Sequence, residues 1–141
     1  MSALSFTVPG VIRGKQRAGR KRLADGSVMS FNPRLTASNE RLIRDYAVIQ
    51  MRRRTPFEGA MRLTISIFKV PPKSWSAKRR REAKYATGKP DIDNVVKLIG
   101  DALNKITWLD DSQISDLVVA RRYGEVERTC IEIEPLEEPP C

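Results

Sequence analysis

Asp91 and Asp93 stand two residues apart just ahead of an amphipathic run, and Asp110 and Asp111 stand side by side after it. In an extended segment residues i and i+2 project from the same side, so the first two carboxylates can share a cation. The only cysteines are Cys130 and Cys141, and histidine is absent. Carboxylates with no imidazole or thiolate nearby suit a hard ion, Mg²⁺ or Mn²⁺ as its substitute, held by one or two carboxylates with several waters retained. Lys97 lies four residues beyond Asp93, one helical turn, so its ammonium can reach back toward the pair. A chain returning along a sheet at Asp110 and Asp111 could bring another carboxylate. The missing histidine excludes an imidazole base, a His-ligated zinc or iron, and a Ser-His or Cys-His nucleophile.

Taken singly, each of these residues has an ordinary reading. Asp91 can be a turn residue after Pro90, and Asp93 or Asn94 a helix cap. Lys97 and Asp101 can form a surface ion pair of about 0.3–0.5 kcal/mol, and Asp110-Asp111 a hydrated turn. The conjunction is what points to a metal, because the acids gather in one stretch of a basic chain. Of 141 residues, 26 are Lys or Arg and 17 Asp or Glu, a formal charge of +9. Residues 1–89 hold 21 basic and 5 acidic side chains, and residues 90–141 hold 5 basic and 12 acidic. A net +16 followed by a net −7 suggests a polyanion partner for the first part and a cation for the second.

The elements that must position these residues can be read from periodicity. Leu4 to Val8 reads as a strand ended by Pro9-Gly10, and residues 14–26 as a mobile basic loop. Ser38 can cap a helix with apolar positions Leu42, Ile43, Tyr46, Ala47 and Ile49 or Gln50, ended by Arg52, Arg53 and Arg54. Met61, Leu63, Ile65 and Ile67 alternate with Arg62, Thr64 and Ser66, the pattern of a half-buried strand. A basic stretch, residues 71–89, carries a short helix from about Ser76 to Ala86. Asn94 to Ile106 reads as an amphipathic helix with Val95, Leu98, Ile99, Ala102, Leu103 and Ile106 as its stripe. Residues 115–123 and 128–134 read as two closing strands, with a frayed tail over 135–141. The expectation is one α+β domain spanning 1–141, a mixed sheet packed with two main helices, its acidic segment at 90–116. No window is long and apolar enough for a membrane span, and the amino terminus lacks the pattern of a signal peptide. A cytoplasmic, DNA-associated protein is therefore expected. Trp108 is expected in the core or at a subunit contact, and Trp75 as a platform for nucleic acid.

The run Asp91-Ile92-Asp93-Asn94, Lys97, Asp101-Ala102-Leu103 and Trp108-Leu109-Asp110-Asp111 with Gln113-Ile114 resembles the signature of the RusA-type Holliday junction resolvases. The resemblance is close over 89–124, and looser for the early Gly-Lys-Gln-Arg loop and the helix after it. It implies Asp91, Asp93 and Asp111 as Mg²⁺ ligands, Lys97 as the cation needed for cleavage, and a homodimer. It also implies resolution of four-way junctions in recombination and repair, with a phage or prophage setting. Metal-assisted hydrolysis leaving 5′-phosphate and 3′-hydroxyl ends follows, with Lys97 on the developing oxyanion or the leaving oxygen. A junction with approximate two-fold symmetry suits a two-fold dimer making paired nicks. Lys15, Arg17, Arg20, Lys21 and Arg22 in the first basic loop, and Lys73, Lys78 and Arg79 in the 71–89 stretch, are the expected DNA contacts.

Other classes compete. A non-catalytic basic DNA- or RNA-binding protein needs only the basic half, and a junction cleavage assay separates the two. A Pro-Asp…Asp/Glu-x-Lys nuclease matches at Pro90-Asp91, but the nearest Glu-x-Lys, Glu82-Ala83-Lys84, precedes the Asp. A metal-dependent glycosyltransferase using Asp-x-Asp ranks last, since the chain is short and has no nucleotide-binding glycine pattern.

Overall fold

The alternating run at 61–67 folds as a strand, β4 (Met61–Lys69), that turns Met61, Leu63, Ile65 and Ile67 inward. Both of its edges are used. β6 (Arg128–Pro135) pairs antiparallel on one side, β5 (Ile114–Tyr123) parallel on the other, and β1 (Leu4–Pro9) adds antiparallel to β6. The mixed sheet therefore runs β1-β6-β4-β5. The computed structural model describes residues 3–10, 12, 19–31 and 34–136.

Parallel pairing of β4 with β5 requires a crossover connection, and that connection carries α2 (Ala77–Glu82) and α3 (Ile92–Leu103). The inward row of the sheet, with Phe6 and Val8 from β1 and Ile131 and Ile133 from β6, meets α3 and the long helix α1 (Arg34–Met51) in one core. From α3 the core takes Val95, Leu98, Ile99, Ala102 and Leu103. Each fully buried Leu or Ile contributes roughly 1.5–3 kcal/mol relative to exposure. Rotating α3 about its axis would forfeit several such terms, so the apolar stripe fixes which side of the helix Asp93 and Lys97 occupy.

The sheet and both long helices form where the pattern predicts them, with differences in detail. Ser38 does not cap α1, which begins at Arg34, so Ser38 lies inside the helix. Its buried row is Asn39, Ile43, Ala47 and Met51, while Ile49 is 69% exposed. The two candidates Ile49 and Gln50 both fall outside that four-residue repeat. Arg52 and Arg53 take positive φ, 49° and 65°, and turn the chain out of the helix. Part of the expected basic loop is ordered as a hairpin: β2 (Gly19–Arg22) pairs with β3 (Val28–Phe31) across a turn where Gly26 has φ 88°. At that turn the Asp25 carboxylate accepts from the Ser27 hydroxyl and amide, which hold its pKa below the usual value. Ser76 does cap α2, accepting from the Arg79 amide, but the helix ends at Glu82 because Ala83 turns extended. Residues 84–86 run instead beside β5, with Tyr85 opposite Arg122. At the carboxyl end Pro135 belongs to β6 and the Leu136 amide donates to the Ala60 carbonyl at 2.9 Å, so the part of the expected tail up to 136 is pinned. Residues 137–141 lie outside the described residues.

Candidate functional site

α3 starts two residues before the position expected from sequence, which changes how the acidic pair is arranged. Asp91 is the extended residue that precedes the helix, and Asp93 sits within its first turn. They are neighbours across a helix start and not two teeth of one strand. A negative charge there is favoured by the unpaired amides of the first turn. Both carboxylates are exposed. The Asp91 carboxylate is met by the Lys89 ammonium, 3.2 Å from each oxygen, with the two side chains 51% and 86% exposed respectively. An exposed pair of this kind is worth 1 kcal/mol or less, so a divalent ion can displace the ammonium.

Helical spacing carries the site onward. Asp93, Lys97 and Gly100 follow one another at four and three residues, and so lie on one stripe of α3. Gly100 is where the second acidic pair returns. A Cβ placed on Gly100 would stand 3.4 Å from Oδ2 of Asp111, an ordinary contact distance, so the Asp111 carboxylate lies beside α3 at that point. Gly100 is two turns, about 10 Å along the axis, from Asp93, and the exposed Lys97 lies between them.

What brings Asp111 there is a small built loop. The indole N–H of Trp108, fully buried, donates to Oδ1 of Asn104 at 2.6 Å, tying the loop to the end of α3. Lys105 takes φ 69° just past the helix, and its amide donates to the Trp108 carbonyl. Gln113 then works in both directions. Its Oε1 accepts from the Leu109 and Asp110 amides, and its Nε2 donates to the Phe57 and Gly59 carbonyls. Asp110 caps the single 3-10 turn at Asp111–Gln113. The Ser112 hydroxyl and amide donate to the Asp110 carboxylate and hold its pKa below the ordinary range. Of the adjacent pair, Asp110 is thus committed to its own turn and Asp111 faces α3.

The donor set is oxygen only, which suits a hard divalent ion. Among the described residues no three His, Cys, Asp or Glu side chains already stand together as a cage. Asp91, Asp93 and Asp111 are exposed, with Asp91 paired to Lys89 and Asp111 beside Gly100, so an ion could be reached by these carboxylates only after their side chains reorient. The fit is therefore one of chemistry and placement, not of a preformed cavity.

Of the expected DNA contacts, Lys15 and Arg17 fall outside the described residues. Arg20, Lys21 and Arg22 belong to β2, and Arg22 is exposed. Lys73, Lys78 and Arg79 are exposed around α2. The Arg79 guanidinium lies 3.7 Å from the Trp75 ring centre, and the Trp75 ring meets Tyr123 edge-on at 5.5 Å. One face of Trp75 is thus taken by Arg79; Tyr85, 64% exposed, is the more accessible ring and likewise carries cations, with the Arg122 guanidinium 4.7 Å and the Lys84 ammonium 5.4 Å from its centre. A groove of about 640 Å³ lined in part by Arg80, Arg81 and Tyr123 adjoins them. Tyr85, Arg121 and Arg122 are not among the residues expected from sequence, and Gln113 is expected only as part of the family signature, without a role. The available signal was register, since Arg121 is the β5 partner of the core residue Ile67 and shares its face of the sheet with Val119.

The family model for endodeoxyribonuclease RusA matches residues 9–134. A protein of Bacillus subtilis (strain 168), "Uncharacterized protein YqaN", is 31% identical over 139 residues, covering 91% of this chain and 93% of its own. The family match takes in the whole sheet from the end of β1, both long helices and every residue of the acidic site. With Asp93, Lys97 and the Asp111 seat on a single stripe of α3, the chain belongs to the RusA endodeoxyribonuclease family.

Proposed function

We propose that this protein is a divalent-metal-dependent endonuclease that resolves four-way DNA junctions by paired symmetric nicks, leaving 5′-phosphate and 3′-hydroxyl ends. Membership of a nuclease family supports the reaction class. The observation that carries the residue assignment is the seat of Asp111 against Gly100, on the stripe of α3 that holds Asp93 and Lys97. Asp91, Asp93 and Asp111 would hold Mg²⁺, or Mn²⁺ in its place. Such an ion lowers the pKa of a bound water and offsets the charge of the phosphate under attack.

The remaining work falls to the chain itself. A phosphodiester arrives as an anion, and the acidic stripe alone would repel it. Lys97, between the acids, supplies a fixed positive charge for the developing oxyanion or the leaving 3′ oxygen, and as a protonated ammonium it cannot compete for the metal. The exposed cations of α2 and of the β2 end would hold the duplex arms by their phosphates. Paired nicks in a two-fold junction call for two copies of the site, hence a homodimer. The domain reading 1–141, with basic segments at 14–26 and 71–89 and the acidic segment at 90–116, belongs to the same proposal. So does a place in recombination and repair, in the cytoplasm on DNA, with a prophage origin. Among the described residues no helix is long and apolar enough to cross a membrane.

The deciding experiment is incubation of the protein with a synthetic four-way junction, with and without Mg²⁺. Symmetric nicks that require the metal support the reading, and an intact junction under conditions of tight binding would make this a binding protein without catalysis. Lys97→Ala should lower kcat by about 10²–10³, the usual cost of removing one transition-state donor, with junction affinity within twofold. A loss confined to affinity would reduce Lys97 to a backbone contact. Lys78→Ala should weaken binding evenly across sequences and reduce the slope of log affinity against log salt by about 1. An unchanged slope in a salt titration would remove α2 from the DNA surface.

A further inference from the structure

The inward row of β4 is apolar through Leu63, Ile65 and Ile67, and its next member is Lys69. The paired row of β5 runs Leu117, Val119 and then Arg121. Two neighbouring strands thus replace the core-facing hydrophobe by a cation at the same end of the sheet, under the segment that leads to Asp91. Both side chains are engaged there. Lys69 Nζ donates to the carbonyls of Thr87 at 3.2 Å and Lys89 at 2.9 Å. Arg121 Nη1 donates to the carbonyls of Gly88 at 2.7 Å and Pro90 at 2.8 Å. Four consecutive carbonyls are held, those of residues 87 and 89 by the lysine and those of 88 and 90 by the arginine.

We propose that Lys69 and Arg121 are positioning residues for Asp91, which fix the main chain of residues 87–90 and so set where the first metal-binding carboxylate stands. The inference rests on the function proposed above. Upstream, residues 84–86 are tied to β5 by the ladder itself, through Tyr123 N to the Lys84 carbonyl at 2.9 Å and Ala86 N to the Arg121 carbonyl at 3.3 Å. That ladder stops at Ala86, which is buried, while Gly88 turns with φ 91° and Pro90 has no N–H to give. From there to Pro90 the side-chain bonds from the sheet run to the carbonyls of the chain. Ionised donors make hydrogen bonds roughly twice as strong as neutral ones, and here one Lys and one Arg supply them. Their donors are spent on main chain and not on a carboxylate, so they anchor Asp91 without competing with a metal. Lys89 does the opposite: its ammonium bonds the Asp91 oxygens and must leave when an ion arrives.

The test uses the full chain and four variants, Arg121→Ala, Arg121→Lys, Lys69→Met and Asp91→Asn, each checked for folding by thermal melting. Mn²⁺ binding to the free protein is read by electron paramagnetic resonance, and hydrogen exchange is followed in peptides covering residues 85–95. Arg121→Ala and Lys69→Met should each weaken Mn²⁺ binding by about tenfold, the scale seen when an outer partner of a metal ligand is removed. The Mg²⁺ midpoint of junction cleavage should rise by the same factor, with kcat at saturating Mg²⁺ changed less than about twofold, and exchange over 87–92 should quicken. Arg121→Lys should recover part of the affinity. Adding Arg121→Ala to Asp91→Asn should cost nothing further in Mn²⁺ binding, because the carboxylate it positions is gone. Unchanged Mn²⁺ affinity in both single variants, or an equal further loss in the double variant, overturns the proposal. If Arg121→Ala fails to fold, Lys69→Met and Arg121→Lys decide the matter on the same readouts. Wild-type protein that neither binds Mn²⁺ nor nicks junctions sinks the nuclease reading, and this inference with it; wild type that does both while the variants match it sinks this inference alone.

Discussion

Asp93→Asn is expected to cut junction cleavage by about 10³-fold while leaving the fold intact and junction binding equal or tighter. The magnitude comes from the several kcal/mol that an ion contributes to charge stabilisation in a transition state, at about 1.4 kcal/mol per factor of ten. The selectivity comes from where Asp93 sits. It is exposed in the first turn of α3 and takes no part in the core, so the stability cost is confined to a favourable charge at a helix start, about 0.3–1 kcal/mol. Binding should not suffer, because the change removes a negative charge that faces phosphate. Asp45→Asn, an exposed acid on α1, is the matched control and should leave cleavage unchanged. Retained cleavage in Asp93→Asn with weakened binding would contradict the assignment, and would turn attention to Asp101 as the acid one turn beyond Lys97.

How far the sequence could lead depends on which interaction sets each element. β4 and α3 are legible because burial on one face imprints its period directly, with inward residues every second position in the one and a stripe in the other. The hairpin of β2 and β3 is not, because three of the four residues of Gly19–Arg22 are basic and its pairing with Val28–Phe31 leaves no apolar alternation. The start of α3 misleads for a related reason: Asp91, Asp93 and Asn94 are all acceptable caps, and Asp91 takes the cap position without a side-chain cap hydrogen bond to mark it. Asp110 and Asp111 are equivalent as letters. What separates them is the bond to Ser112 that commits one and the place beside Gly100 that the other takes. Lys69 and Arg121 were hidden by being read as members of a basic total. Their meaning lies in register, as charges placed where a row of core residues runs out beneath carbonyls that they bond.

Trp108→Ala should be the most damaging single change to stability, and it should damage the site before it unfolds the protein. The ring is fully buried between the end of α3 and the chain at Phe57, and truncating a buried Trp costs about 3–5 kcal/mol. Against a total of about 5–15 kcal/mol for a domain, that leaves a marginal fold, measurable as a large drop in the urea midpoint. Trp108→Phe separates the two roles of the side chain. Most of the volume stays, but the 2.6 Å bond to Asn104 is lost and its Oδ1 is left half-buried, a cost of about 0.5–1.5 kcal/mol. Since that bond fixes the loop that seats Asp111 on Gly100, Trp108→Phe should cleave junctions more slowly than wild type at a temperature where both are folded, and raised Mg²⁺ should restore part of the rate. Full activity in a folded Trp108→Phe protein would mean that Gln113, through Phe57 and Gly59, holds Asp111 in place without help from the indole.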